Sequence, residues 1–204
     1  MVCCLTNFPL PRIEALTDTH QSGTGTSQGD TKPTKQAQKI TNWVDPTDKS
    51  GEFKRGASVF RDHISREAGA QFPPEAGRYH LYVSYACPWA HRTLIVRKLK
   101  GLEEIIPYTS VHWHMGEKGW RFATKNDNDA PGENVHPDPV SGHESYSHLQ
   151  DIYFSVDPEY KGRFTVPTLY DTKTNRIVSN ESADIIRFMY TEFDGLPGVR
   201  KDVV

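Results

Sequence analysis

The chain has no long apolar run. Its longest stretches are a few residues, as in Leu94-Ile95-Val96. A helix needs about 20 apolar residues to cross a bilayer, so no membrane-spanning helix is expected. Cysteine is scarce: Cys3, Cys4 and Cys87 in 204 residues. An odd number without framework spacing excludes a disulfide-stapled secreted scaffold. An excess of either charge is also missing, with 24 Lys+Arg against 26 Asp+Glu and a net charge of -2. That gives no basic field for nucleic acid. The start lacks the basic-then-apolar pattern of a signal peptide, and an Arg-rich presequence is absent, since Arg12 stands alone against Glu14, Asp18 and Asp30. Val2 stands where myristoylation needs glycine, so Cys3 and Cys4 read as exposed thiols on a polar tail. A globular cytoplasmic protein is expected, with no nucleic-acid or membrane partner.

What is present is unevenly distributed. From Thr17 to Gln38 the only apolar residue is Ala37, too little to offset ordering entropy, so 1–39 is read as a disordered tail. Residues 40–78 read as an extended, irregular arm closed by Phe72-Pro73-Pro74-Glu75-Ala76-Gly77. Tyr79, Leu81, Val83 and Tyr85 then alternate with polar or smaller positions, a strand pattern. Pro88 suits a first helical position, and Gly101 a helix stop. A second strand is predicted over Tyr108–Trp113, and a polar insertion loop over 114–143. A helix over His148–Val156, strands at Pro167–Tyr170 and Ile177–Val178, and a helix over Asn180–Phe193 complete the series. The order β-α-β-α-β-β-α predicts an α/β, thioredoxin-like domain over 79–197, followed by a tail over 198–204.

Three motifs carry chemistry. In Ser84-Tyr85-Ala86-Cys87-Pro88-Trp89-Ala90-His91-Arg92 a cysteine falls where a strand meets a helix start. Unpaired N–H groups and the macrodipole there stabilise a thiolate, which is the nucleophile. Arg92, about one turn on, is expected to add positive potential. The pattern is Cys-x-x-Ala, so a one-cysteine cycle through a mixed disulfide with an external thiol fits better than an internal disulfide. The plainer alternative is an inert buried cysteine. In Arg163-Phe164-Thr165-Val166-Pro167, a proline opens a strand; in thioredoxin-like folds it is cis and faces the cysteine. Val166 would offer its backbone to a peptide-like thiol. The alternative is an ordinary strand-start proline. In Asn180-Glu181-Ser182, Ser182 or Asn180 is expected to cap a helix whose free N–H groups hold a carboxylate, while Glu181 pairs with an amine. That suits the γ-glutamyl end of glutathione; an ordinary capped helix suits it equally.

Residues 40–196 resemble the glutathionyl-hydroquinone reductases, the omega-like xi class of glutathione transferases. The runs that carry the resemblance are Gly51-Glu52-Phe53-Lys54-Arg55, Tyr79 through Gly101, Met115-Gly116-Glu117-Lys118-Gly119-Trp120-Arg121-Phe122, Arg163 through Pro167, and Asn180-Glu181-Ser182. The resemblance implies that Cys87 is the nucleophile, that Trp120, Arg163, Val166, Glu181 and Ser182 bind glutathione as co-substrate, and that Pro167 is the structural cis-proline. It implies reductive cleavage of glutathionylated quinols through a Cys87–glutathione disulfide, and leaves a homodimer open. It also implies an all-helical C-terminal domain, so a chain ending at Val204 is expected to be a truncated product. Rival expectations are a glutaredoxin-like thioltransferase or dehydroascorbate reductase, and an inactive glutathione- or partner-binding remnant with Leu94, Ile95, Leu99 and Met189 on a bare apolar face. No metal is expected. A faint calcium-loop echo from Asp127 to Asp138 is spoiled by Pro131 and Val135, and His112 with His114 lacks a third ligand.

Overall fold

The computed structural model describes residues 49–50 and 56–203. The predicted tail, Cys3, Cys4 and the run Gly51–Arg55 lie outside the described residues. The elements are β1 (Tyr79–Val83), α1 (Pro88–Leu99), β2 (Tyr108–Ser110), α2 (Leu149–Val156), β3 (Thr168–Asp171), β4 (Arg176–Ser179) and α3 (Ser182–Thr191), then a 3-10 turn at Glu192–Gly195. The sheet order is β2-β1-β3-β4. β1 and β2 are parallel, β3 is antiparallel to β1, and β4 is antiparallel to β3. This is the expected thioredoxin-like arrangement.

Every residue of β1 is buried, so both faces of the sheet are covered. Tyr79 points to one face, where its ring meets Phe193 at 6.3 Å. α1 and α3 pack against each other, and α2 lies against β4. Tyr82 points to the other face and meets Phe122 at 5.8 Å. That cover comes from the predicted insertion loop. Despite its polar composition the loop is pinned to the sheet: the Tyr82 hydroxyl donates to Asp138 Oδ1 at 2.9 Å, and His143 Nδ1 lies 2.8 Å from Asp138 Oδ2. His143 Nε2 reaches the Tyr170 hydroxyl at 3.3 Å. Asp138 and His143 are both buried. Burying polar groups is tolerated only when they are paired, and here each one is.

The helix ends follow their local chemistry. Pro88 opens α1. At its far end Gly101 takes φ +68°, with Gly101 N–H donating to Lys98 O and Leu102 N–H to Arg97 O, a Schellman stop. Residues beyond α3 return to this end: Arg200 N–H donates to Lys100 O at 2.9 Å, and Val199 packs on the core. A buried fork ties the start of β1 to the end of β3, with Arg78 Nε and Nη2 at 2.9 and 2.6 Å from the Asp171 carboxylate. Burial pushes that carboxyl up. Hydrogen bonds from Arg78, Thr174 and Lys173 N–H outweigh it and hold it below the usual range.

Several predicted elements are shorter in the structure. β1 ends before Tyr85 because Ser84 O accepts from Cys87 N–H and the chain turns. β2 ends at Ser110: Val111 N–H still reaches Val83 O, but His112 N–H turns to Arg121 O. α3 starts two residues later than predicted because Glu181, not Asn180, caps it. The described part of the arm runs along the outer edge: Arg61 bridges Ser179, and Phe60 stacks on Tyr160 at 5.5 Å.

His80, on the loop-covered face, gives a pH test. Burial pushes its imidazole down to about 4, and its Nε2 lies 2.9 Å from Thr109 Oγ1. The folded state holds it neutral while an unfolded imidazole protonates near 6.5, so stability is full above that pH and falls toward pH 4. The loss is about 3 kcal/mol for a shift of this size. Urea melts between pH 7 and 4 are expected to show the slope, and His80→Gln to flatten part of it.

Candidate active site

Cys87 links the start of α1 to one loop, and Arg92 links α1 to the start of α3. Cys87 is the N-cap residue of α1, with extended backbone and no side-chain capping bond, so its sulfur is not consumed by the helix. Cys87 Sγ instead donates to Val166 O at 3.5 Å. The Val166–Pro167 bond is cis, and Val166 itself is 4% exposed. The sulfur is half-buried, flanked by Tyr85 and Trp89, which are 40% and 49% exposed. Tyr85 is held by its hydroxyl, 2.9 Å from both Tyr108 Oη and Glu133 O. Its ring fills the space a Cβ at Gly132 would need, and Gly132 takes φ +118°.

The second helix start is that of α3. Glu181 Oε1 accepts from Ala183 N–H at 3.2 Å, and Ser58 Oγ donates to Glu181 Oε2 at 2.9 Å. Glu181 therefore serves as the cap that was predicted for Ser182 or Asn180. Ser182 is 1% exposed, and its Oγ accepts from Arg92 Nε and Nη2 at 3.1 and 2.7 Å. Arg92 also lies 5.1 Å over the Trp89 ring. The sequence reading aimed Arg92 at the thiol; the structure commits its guanidinium to Ser182 and Trp89.

The remaining predicted residues divide. Arg163 sits in the loop leading to Pro167; its carbonyl accepts from the Tyr160 hydroxyl at 3.0 Å. That hydroxyl also closes over Gly162, where an added Cβ would fall 2.4 Å from it. Trp120 is 7% exposed and belongs to the core that Cys87 packs against, and its backbone carbonyl accepts from Leu149 N–H at the start of α2. No hydrogen bond or ring contact among the described residues joins it to Cys87. Asn180 and Tyr153 were missed as site residues. The Tyr153 hydroxyl lies at 2.9 Å from Thr165 O and Thr168 Oγ1, 3.3 Å from Thr165 N and 3.2 Å from Asn180 Nδ2. It binds the cis-proline loop to the turn before α3. In the sequence Tyr153 was only one position of a buried helical stripe.

His112, Asp127 and Asp129 come within 4.8 Å of one another, a grouping the sequence did not show. His112 Nδ1 accepts from His114 N–H at 3.1 Å, and its Nε2 lies 3.5 Å from Asp129 Oδ1. The Asp127 carboxylate is taken by Arg121 at 2.7 and 2.8 Å and by Thr124, and Arg121 holds it well below the usual range. The grouping reads as a loop clasp. The bare apolar face also needs correcting. Ile95 and Leu99 are 48% and 47% exposed as expected, but Met189 is fully buried on the inner face of α3.

A thioredoxin-like domain built around one cysteine at a helix start is what this geometry defines. The chain belongs to the glutathione S-transferase family: residues 86–192 match the model for its N-terminal domain. It is 52% identical over 155 residues to glutathione S-transferase omega-like 2 of Schizosaccharomyces pombe, covering 76% of this chain and 45% of that protein. It is 44% identical over 159 residues to the glutathionyl-hydroquinone reductase PcpF of Sphingobium chlorophenolicum, covering 76% and 46%. Among solved structures, the xi transferase of Phanerochaete chrysosporium matches with TM-score 0.62 at 52% identity, over 71% of this chain and 45% of that one. The glutathione-bound YqjG of Escherichia coli matches with TM-score 0.62 at 43% identity, over 70% and 45%. The chain spans about half the length of the curated relatives it matches. Among the described residues, no helix is long and apolar enough to cross a membrane.

Tyr153→Phe tests the hub. It strips Asn180 Nδ2 and Thr165 N–H of a buried acceptor, and is expected to cost about 1–3 kcal/mol in a denaturant melt. A melt unchanged from the parent chain would contradict the role.

Proposed function

We propose that the chain carries the glutathione half-site of a glutathione-dependent thiol oxidoreductase acting on glutathionylated hydroquinones. One observation carries the reading. Cys87 is the only cysteine among the described residues, its sulfur lies 3.5 Å from the carbonyl before a cis-proline, and the α3 start is braced to its own helix. A lone sulfur so placed suits attack on an external sulfur.

In the proposed cycle the Cys87 thiolate attacks the glutathionyl sulfur. The aryl C–S bond breaks, the aryl carbon takes up a proton, and hydroquinone leaves. The carbon is reduced, and the sulfur pair is oxidised to a Cys87–glutathione disulfide. The thiolate of a second glutathione attacks the glutathione sulfur of that disulfide. Oxidised glutathione leaves and the Cys87 thiolate returns. Val166 presents backbone to the cysteinyl part of glutathione. Ser182, through its hydroxyl and backbone N–H, receives its γ-glutamyl carboxylate, and Glu181 its amine. Arg163 and Trp120 complete the site in this reading. Glutathione is the co-substrate, no metal takes part, the location is cytoplasmic, and a homodimer is compatible with it. A thioltransferase acting on small glutathione disulfides would share the second half of the cycle. Tyr85 and Trp89, two positions to either side of Cys87 in the chain, are half-exposed and favour it as the second reading.

Incubation with a glutathionyl-hydroquinone is expected to add one glutathionyl group to Cys87, seen by intact mass, and to release hydroquinone. Cys87→Ser is expected to do neither. Turnover that survives in Cys87→Ser would sink the proposal. Faster reaction with a small mixed disulfide than with the thioether would favour the thioltransferase.

A further inference from the structure

Arg92 has a role that its distance from the chemistry hides. Its guanidinium donates twice to one hydroxyl oxygen, Ser182 Oγ, at 3.1 and 2.7 Å. A serine oxygen has two lone pairs and one proton. With the guanidinium on the acceptor side, the proton must point elsewhere, and among the described residues nothing accepts it. Ser182 is 1% exposed and stands at the first position of α3, whose next N–H groups, of Ala183 and Asp184, are taken by Glu181. The next cation along the arm is spent: Arg61 binds Asp184 Oδ1 at 3.0 Å through Nη2, and that carboxylate in turn raises the Arg61 guanidinium. Arg92 is thus the positive charge in contact with Ser182, steadied by the Trp89 ring at 5.1 Å.

We propose that Arg92 is the residue that makes this half-site select a carboxylate: it fixes Ser182 as a hydrogen-bond donor and lends it positive charge. It is a positioning residue acting through Ser182, and it has no part in tuning the Cys87 thiol. The inference rests on the glutathione reading above, in which Ser182 meets the γ-glutamyl carboxylate. A donor backed by a guanidinium favours an anionic acceptor, because charge-assisted hydrogen bonds are roughly twice as strong as neutral ones. A ligand bearing a carboxamide there keeps the contact and loses the charge.

The test is calorimetric binding of two probes to the reduced 204-residue chain: glutathione, and the analogue whose γ-glutamyl carboxylate is a carboxamide. The parent chain is expected to prefer glutathione. Arg92→Gln is expected to weaken glutathione roughly tenfold more than the amide, as suits loss of a hydrogen bond backed by charge. Arg92→Lys, which keeps the charge without the fork, is expected to fall between. In Ser182→Ala, the further change Arg92→Gln is expected to add little, because both act on one contact. The pH profile of Cys87 alkylation is expected to stay where it is in Arg92→Gln. Equal weakening of both probes would overturn the inference and leave Arg92 a packing strut, as would a shifted alkylation profile. If Arg92→Gln does not fold, the Arg92→Lys and Ser182→Ala comparisons decide. Failure of the parent chain to bind either probe overturns both this inference and the glutathione reading. Binding without turnover overturns the proposed reaction alone, and the ratio of the two affinities still decides on Arg92.

Discussion

The site depends on one buried hydroxyl. Tyr153 lies on α2, away from the cysteine helix, yet its oxygen is within hydrogen-bond reach of Thr165, Thr168 and Asn180. Thr165 and Thr168 flank the cis-proline loop, and Asn180 precedes the α3 cap. A hydroxyl with three bonding positions cannot follow these segments if they separate. Burial raises its pKa and keeps it neutral, so it remains able both to donate and to accept. The distance between the carbonyl facing Cys87 and the start of α3 is thereby set from beneath, by a residue that touches neither.

Above that base the site is assembled from helix starts. α1 presents a sulfur and α3 a serine, and Arg92 spans from one helix to the other. The arm contributes as well, since Ser58 holds the second oxygen of the Glu181 cap. The cap is thus shared between its own helix and a distant stretch of chain. Arg92, Ser182 and Glu181 each have a partner that fixes their direction, which is how a small site is kept ordered in the presence of solvent.

The fold was legible because it rests on local signals. The Tyr79–Val83 alternation, Pro88 at a helix start and Gly101 at a helix stop all act within a few residues, and all lie where they were read. Cys87, Val166, Glu181 and Ser182 were legible as types in motifs. Their partners were not. Glu181 rather than Ser182 caps α3 because the Ser182 oxygen is taken by Arg92, some 90 positions away. The backbone bond from Leu149 N–H to Trp120 O, which ties the loop to the start of α2, had no signal in the sequence either. Such outcomes depend on competition among groups brought together only by folding, and no periodicity encodes that competition.

The stretch 114–143 has the composition of a surface and the constraints of an interior. Asp138 and His143 sit beneath it, paired with tyrosines from two strands. Tolerance to substitution along it therefore does not follow hydropathy. Exchanging Asp138 for another small polar residue removes a carboxylate from between two buried donors, whereas larger changes at exposed positions nearby meet only water. Mutational variation in this stretch is governed by which polar atoms have partners, and a comparison of sequences weighted by polarity alone would misjudge it.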